Sequence, residues 1–150
     1  MTVYASSEGA CLTNADAEAA VPPRRLKVLF AEDEVLLRLM LCDVLRESGF
    51  QVFEAADAAE AVAILRTTPV DVVITDLRMR AIGDGTEVAR YVRAHCSGVS
   101  LILAAATVPP IPEPSPFDAF FLKPYQPEDI VAWIRRHHAR ASDHADSSLR

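Results

Sequence analysis

Five short apolar runs, separated by longer amphipathic stretches, set the pattern of this chain. Residues 26–31, 51–54, 71–75, 99–104 and 118–122 are rich in β-branched, aromatic and aliphatic side chains and too short for helices, which predicts five strands. After the first strand, Leu37, Met40, Leu41, Val44 and Leu45 recur at the three-and-four spacing of one helical face, and Ser48-Gly49 ends that helix. Asp57 is placed to cap a second helix that carries Ala61, Ile64 and Leu65, with Pro69 just beyond its end. A turn at Gly83-Asp84-Gly85 leads into a third, with Val88, Tyr91 and Val92 facing inward, and Gly98 ends the link to the fourth strand. Pro127 suits the first turn of a last helix, which puts Ile130, Trp133 and Ile134 on one face.

One connection breaks the rhythm. Between the fourth and fifth strands, residues 109–116 hold five prolines in eight positions, and such a run forbids a regular helix. Strands alternating with helices at this spacing argue for an α/β fold, a doubly wound parallel sheet with right-handed crossovers. Five strands fit the flavodoxin-like order 2-1-3-4-5, with the fourth helix degenerate. Residues 1–24 are rich in Ala, Ser and acidic residues without a sustained period and read as a disordered tail closed by Pro22-Pro23, although a short helix near Asn14–Ala20 is compatible with the pattern. The folded domain is expected over 25–140, and 141–150 as a loose polar tail.

The ends of the predicted strands carry the chemistry. The third run passes through Val72-Val73-Ile74-Thr75 straight into Asp76; the first ends in Glu32-Asp33-Glu34, and the fifth in Lys123-Pro124. Open α/β sheets keep their ligands at the carboxyl edge. Three acidic side chains and one lysine at the ends of neighbouring strands would form an acidic pocket with one fixed cation. A carboxylate attacking a phosphoryl group needs a divalent cation, because nucleophile and phosphoryl oxygens are all negative. Mg²⁺, which takes oxygen ligands, suits such a set. The residues therefore point to Mg²⁺-dependent phosphorylation of Asp76.

Composition narrows the setting. With 150 residues, 51% hydrophobic content and a mean hydropathy of +0.15, the chain is expected to hold one well-packed domain. Its net charge of −6 disfavours a nucleic-acid surface. No apolar run approaches the roughly 20 residues that span a bilayer, and no signal peptide is evident. Cys11, Cys42 and Cys96 show no metal or redox spacing; Cys42 falls on a helical pattern as a small core residue, and a reducing cytoplasm is expected.

Taken together, Glu32-Asp33, Asp76 within Thr75-Asp76-Leu77-Arg78-Met79, Asp84-Gly85 and Lys123-Pro124 resemble the response regulator receiver domain of two-component signalling over about residues 25–140. The resemblance implies that Asp76 is the phosphoacceptor and that Lys123 pairs with the phosphoryl group. It implies that Glu32, Asp33, Asp76 and the backbone carbonyl of Arg78 hold Mg²⁺, and that Phe120 is the switch aromatic. It also implies a histidine kinase or histidine phosphotransfer protein as phosphodonor and a downstream protein target, with no nucleic acid or membrane.

Several positions depart from that family. Where it keeps a Thr or Ser at the end of the fourth strand, this chain has Ala105, with Thr107 two residues on. Arg80 stands where many members have Pro, and one extra residue precedes Asp84-Gly85. The Pro-rich 109–116 replaces the fourth helix, as in a group of short single-domain receivers. Arg78 excludes a phosphatase of the haloacid dehalogenase type, which needs a second Asp there. The acidic Ala31-Glu32-Asp33 excludes a glycine-rich nucleotide turn. Arg135-Arg136-His137-His138 reads as a solvated helix end rather than a binding patch. The expectation is a free-standing receiver, not an enzyme beyond its own phosphorylation and dephosphorylation. The loss of the hydroxyl at 105 keeps a constitutive adaptor, or a phosphate sink, as the alternative.

Overall fold

In the computed structural model, which describes residues 24–79 and 84–147, the elements follow in the order β1 (Lys27–Ala31), α1 (Val35–Glu47), β2 (Gln51–Ala55), α2 (Ala58–Thr67), β3 (Val72–Thr75), α3 (Gly85–His95), β4 (Ser100–Ala105), β5 (Ala119–Leu122) and α4 (Pro127–Ser147). The strands form one parallel sheet in the order β2-β1-β3-β4-β5, the predicted flavodoxin-like arrangement. Residues 106–118 connect β4 to β5 without a helix, as the prolines require.

The two faces of the sheet explain why the strand sequences are almost continuously apolar. Side chains alternate between faces. Val28, Phe30, Val72, Ile74, Ile102 and Ala104 pack with Leu41, Leu45, Ile130 and Ile134 of α1 and α4. Leu29, Ala31, Val73 and Leu101 pack with Ala61, Leu65, Val88 and Val92 of α2 and α3. A sheet covered on both sides has no polar face to spare. Cys42 is wholly buried, as expected, and burial pushes its thiol up to about 12.

Two expectations are corrected. Met40 does not face the core: it is 61% exposed, and the buried stripe of α1 is Leu41, Cys42 and Leu45. Periodicity gives the angular position of a side chain but not whether a neighbour lies opposite it. Leu37 and Met40 instead line a surface groove with Tyr125 and Pro127. The last helix continues past residue 140 to Ser147, so the stretch read as loose from 141 is helical as far as that residue. Alanines recur in that stretch and no Gly or Pro interrupts it. The expected tail over 1–23, Arg80, Gly83 and residues 148–150 lie outside the described residues.

The basic run of α4 lies within the helix rather than at its end; Arg135, Arg136 and His137 are exposed, as expected of a solvated face, and only His138 is half-buried. Arg135 donates to the carbonyl of Ser48 at 3.0 Å, His137 stacks on Trp133 with ring centroids 4.6 Å apart, and His138 Nε2 lies 3.2 Å from Ser100 Oγ. Burial, with the neighbouring His137 adding to it, lowers the His138 pKa below 6.5, against an upward pull from Asp71. A depressed imidazole pKa means that the folded state prefers the neutral ring, so this contribution is complete above the unfolded value and is lost as pH falls through it. The melting temperature of the wild-type chain should therefore exceed that of His138→Gln most at pH 7.5, and the gap should narrow towards pH 5.5. A gap that widened on acidification would contradict the assignment.

Arg93 fastens the segment that stands in for the missing helix. Its guanidinium donates to the carbonyls of Pro116 and Val99 and to Asp118 Oδ2, the last two at 3.2 and 3.0 Å. Asp118 Oδ2 also accepts the Leu101 N–H at 2.7 Å, and Phe117 packs against the core beside α3.

Candidate functional site

The carboxyl ends of the strands meet in a cavity of about 450 Å³ whose lining includes Glu32, Asp33, Asp76, Arg78, Ala105 and Lys123. Sheet hydrogen bonds that continue one residue beyond the strands fix the roots of the three central side chains. Glu32 N–H donates to Ala55 O at 3.0 Å, Asp76 N–H to Ala31 O at 3.1 Å, and Lys123 N–H to Ala105 O at 2.9 Å. Residues far apart in sequence are thus side by side at one edge.

Lys123 closes the arrangement. Its Nζ donates to Glu32 Oε2 at 2.6 Å and to Asp76 Oδ2 at 2.8 Å, so one ammonium bridges both carboxylates. The remaining oxygens accept from backbone: Glu32 Oε1 from Glu34 N–H at 3.1 Å, and Asp76 Oδ1 from Arg78 N–H at 3.3 Å. Glu32 is 1% exposed and Asp76 9%. Burial raises the Glu32 pKa, opposed by the hydrogen bond from Lys123. Burial also opposes the charge of Lys123, yet its bonds to Asp76 and Glu32 outweigh this and raise its pKa. Both shifts are physically consistent, because the carboxylate is the more deeply enclosed partner and loses more hydration.

Carboxylate oxygens of Glu32, Asp33 and Asp76 lie within 4.8 Å of one another. These hard oxygen donors suit a divalent cation that keeps several waters. The sequence-predicted residues are therefore brought together, with one exception. Phe120 lies in β5 opposite Leu103, half-buried, and does not line the cavity. Ala105 does line it at the end of β4, and Thr107 stands on its lining as well.

The sequence reading did not assign the structural roles of several supporting residues. Arg38 donates to the carbonyl of Glu32 at 2.7 Å and faces Glu54 at 3.6 Å, holding the β1–α1 turn. Thr75 Oγ1 donates to Asp76 O at 2.9 Å. Asp84 caps α3, accepting from the N–H groups of Thr86 at 2.9 Å and Glu87 at 3.4 Å. Gly85, read as part of a turn, is the first residue of α3 and lies against the Asp76 peptide. Beside Lys123, burial pushes the Tyr125 hydroxyl up to about 12. The Asp84 cap has a local signature, an Asp ahead of an amphipathic run.

Comparison with known proteins bears on the family and the fold. The response regulator receiver domain family matches residues 28–135. The chain is 34% identical over 123 residues to the transcriptional regulatory protein PdtaR of Mycobacterium tuberculosis, covering 79% of this chain and 58% of PdtaR. It is 30% identical over 123 residues to the DNA-binding response regulator MtrA of Mycobacterium leprae, covering 79% of this chain and 54% of MtrA. The chain thus spans a little over half the length of these relatives. Among solved structures, a CheY-like receiver domain protein from Methanospirillum hungatei superposes with a TM-score of 0.72 at 19% identity, over 81% of this chain and 99% of that one. The receiver domain of a sensor histidine kinase from Pseudomonas aeruginosa, solved with a magnesium ion in its active-site cleft, superposes with a TM-score of 0.66 at 22% identity, over 75% of this chain and 97% of that one. By its sequence match and its fold, this chain belongs to the response regulator receiver domain family of two-component signalling.

Proposed function

We propose that Asp76 accepts a phosphoryl group from a phosphohistidine of a histidine kinase or histidine phosphotransfer protein, and that the phosphorylated domain signals by binding another protein. The bridge from Lys123 Nζ to both Asp76 and Glu32, with Asp33 beside them, is the observation that carries this reading. A carboxylate oxygen of Asp76 forms the new bond to phosphorus as the phosphorus–nitrogen bond of the donor breaks, and the departing imidazole nitrogen takes up a proton. Lys123 is placed to pair with a phosphoryl oxygen. Glu32, Asp33, Asp76 and the carbonyl of Arg78 would hold Mg²⁺, which supplies the positive charge that lets anionic nucleophile and phosphoryl group meet. This is a signalling role over about residues 25–140, with turnover limited to gain and loss of its own phosphoryl group.

We place the protein in a reducing cytoplasm. The described cysteines, Cys42 and Cys96, are free thiols with pKa values raised by burial, and among the described residues no helix is long and apolar enough to cross a membrane. The net charge of −6 supports a protein rather than a nucleic-acid partner.

Incubation with Mg²⁺ and acetyl phosphate should give a shifted band on a phosphate-affinity gel that is absent without Mg²⁺ and in Asp76→Asn. A shift that persisted in Asp76→Asn, or none with acetyl phosphate or any candidate kinase, would refute the assignment. Ala105 favours a second reading, because a methyl group cannot bond a phosphoryl oxygen. A constitutive adaptor or phosphate sink would show amide NMR changes confined to the neighbours of Asp76, whereas a switch would carry them to Phe120 and residues 105–116.

A further inference from the structure

A groove of about 570 Å³ runs between α3 and the Pro-rich connection. One wall is a helical stripe, Thr86, Ala89, Arg90 and Arg93, at the three-and-four spacing of a single face. The other is built from proline rings with Ile111 and Phe117. Prolines have fixed φ and few accessible states, so this wall is formed in advance and gives up little entropy when covered. Arg93 bolts it to α3 through the carbonyl of Pro116.

The charge of the groove runs against that of the chain. The protein carries a net charge of −6, yet among the described residues the groove is lined by three arginines and no carboxylate. Arg93 is engaged with Asp118. Arg78 and Arg90 are exposed and have no side-chain hydrogen bond or ion pair among the described residues. Two guanidiniums without a side-chain partner among the described residues, one on the α3 wall and one at the end of an apolar trough, fit carboxylates beside an apolar anchor. The overall negative charge of the chain opposes a polyanion at long range.

We infer that this groove docks a short acidic segment of a partner protein, with an apolar residue seated among the prolines and its carboxylates paired with Arg78 and Arg90. One end of the groove reaches Leu77 and Arg78, which also line the phosphoacceptor cavity, so the occupant lies beside Asp76. Docking itself requires no phosphorylation and stands apart from the role proposed for Asp76.

The test uses the full chain and a fluorescein-labelled ten-residue peptide alternating Asp or Glu with Leu, followed by anisotropy, with a Lys-for-acid peptide as control. Saturable binding of the acidic peptide alone is expected, weakened roughly tenfold or more by Arg90→Glu and comparably by Ile111→Ser. Arg136→Glu, a charge reversal on the exposed side of α4, should leave binding unchanged, and circular dichroism of each variant checks the fold. Absence of binding at about 1 mM peptide, equal binding to Arg90→Glu, or an equal loss in Arg136→Glu would overturn the proposal. So would sedimentation showing a dimer of the chain that Arg90→Glu dissolves, since the groove would then receive a second copy.

Discussion

Replacing Lys123 with Met should lower the melting temperature by roughly 10 °C at pH 7.5 without metal, and millimolar Mg²⁺ should restore most of the loss. The ammonium is the cation that bridges Glu32 and Asp76, at 2.6 and 2.8 Å, and Glu32 is 1% exposed. Removing one partner of a buried ion pair leaves the other charge without compensation, at a cost on the order of 3 kcal/mol. Proton uptake limits that cost. The Glu32 pKa already lies above 4.5 because of burial, and losing Lys123 removes the hydrogen bond that opposes the rise. A carboxyl group whose folded pKa is raised binds its proton more tightly in the folded state, so its contribution falls as pH rises above the unfolded value. The deficit of Lys123→Met should therefore be larger at pH 8.5 than at pH 6. Mg²⁺ reverses it because a cation that binds only the folded carboxylates stabilises that state. Thermal melts at the two pH values, with and without Mg²⁺, decide the matter. A variant as stable as wild type in the absence of metal would show that the bridge does not hold the site together.

Gly85→Ala should be as damaging, although alanine is intrinsically the better helix former by about 1 kcal/mol. A Cβ at this position would collide with Asp76 O and lie 2.9 Å from Leu77 Cα and 3.0 Å from Asp76 C. All three are backbone atoms, so no side chain can swing aside. Helix α3 cannot retreat freely either, because the Gly85 N–H donates to Leu77 O at 3.0 Å and Val88 is buried in the core. Overpacking of this kind costs about 3 kcal/mol. It would also displace the peptide that carries the nucleophile, and misplacement on this scale should slow phosphorylation by acetyl phosphate roughly a hundredfold. Paired measurements of melting temperature and Mg²⁺-dependent phosphorylation test both parts. A Gly85→Ala protein with wild-type values for the two would mean that the close approach is not maintained in solution.

The difference between these two sites shows where sequence reading succeeds. Asp76, Glu32, Asp33 and Lys123 each follow directly on an apolar run. Because a strand has a fixed rise and its charged end must leave the core, their convergence on one sheet edge follows once the strands are recognised. Gly85 carries no such mark. Among residues 83–85 it reads as a turn, and the reason that only glycine fits is a carbonyl nine residues earlier in the chain. Arg38 and Arg93 are equally silent in sequence, since each acts on a main-chain carbonyl brought near by the fold.

The sequence by itself determined the architecture. Its five apolar runs had to become strands buried on both faces, the proline run had to remove the fourth helix, and the charged strand ends had to gather in one pocket. Tertiary structure alone decided which side of α1 meets the core, leaving Met40 in solvent. It also decided which atoms Lys123 bridges, and it set a trough lined by three arginines against a proline wall. Hydrophobic periodicity is local and survives in the sequence, whereas each of these features depends on what a distant segment places opposite a given side chain.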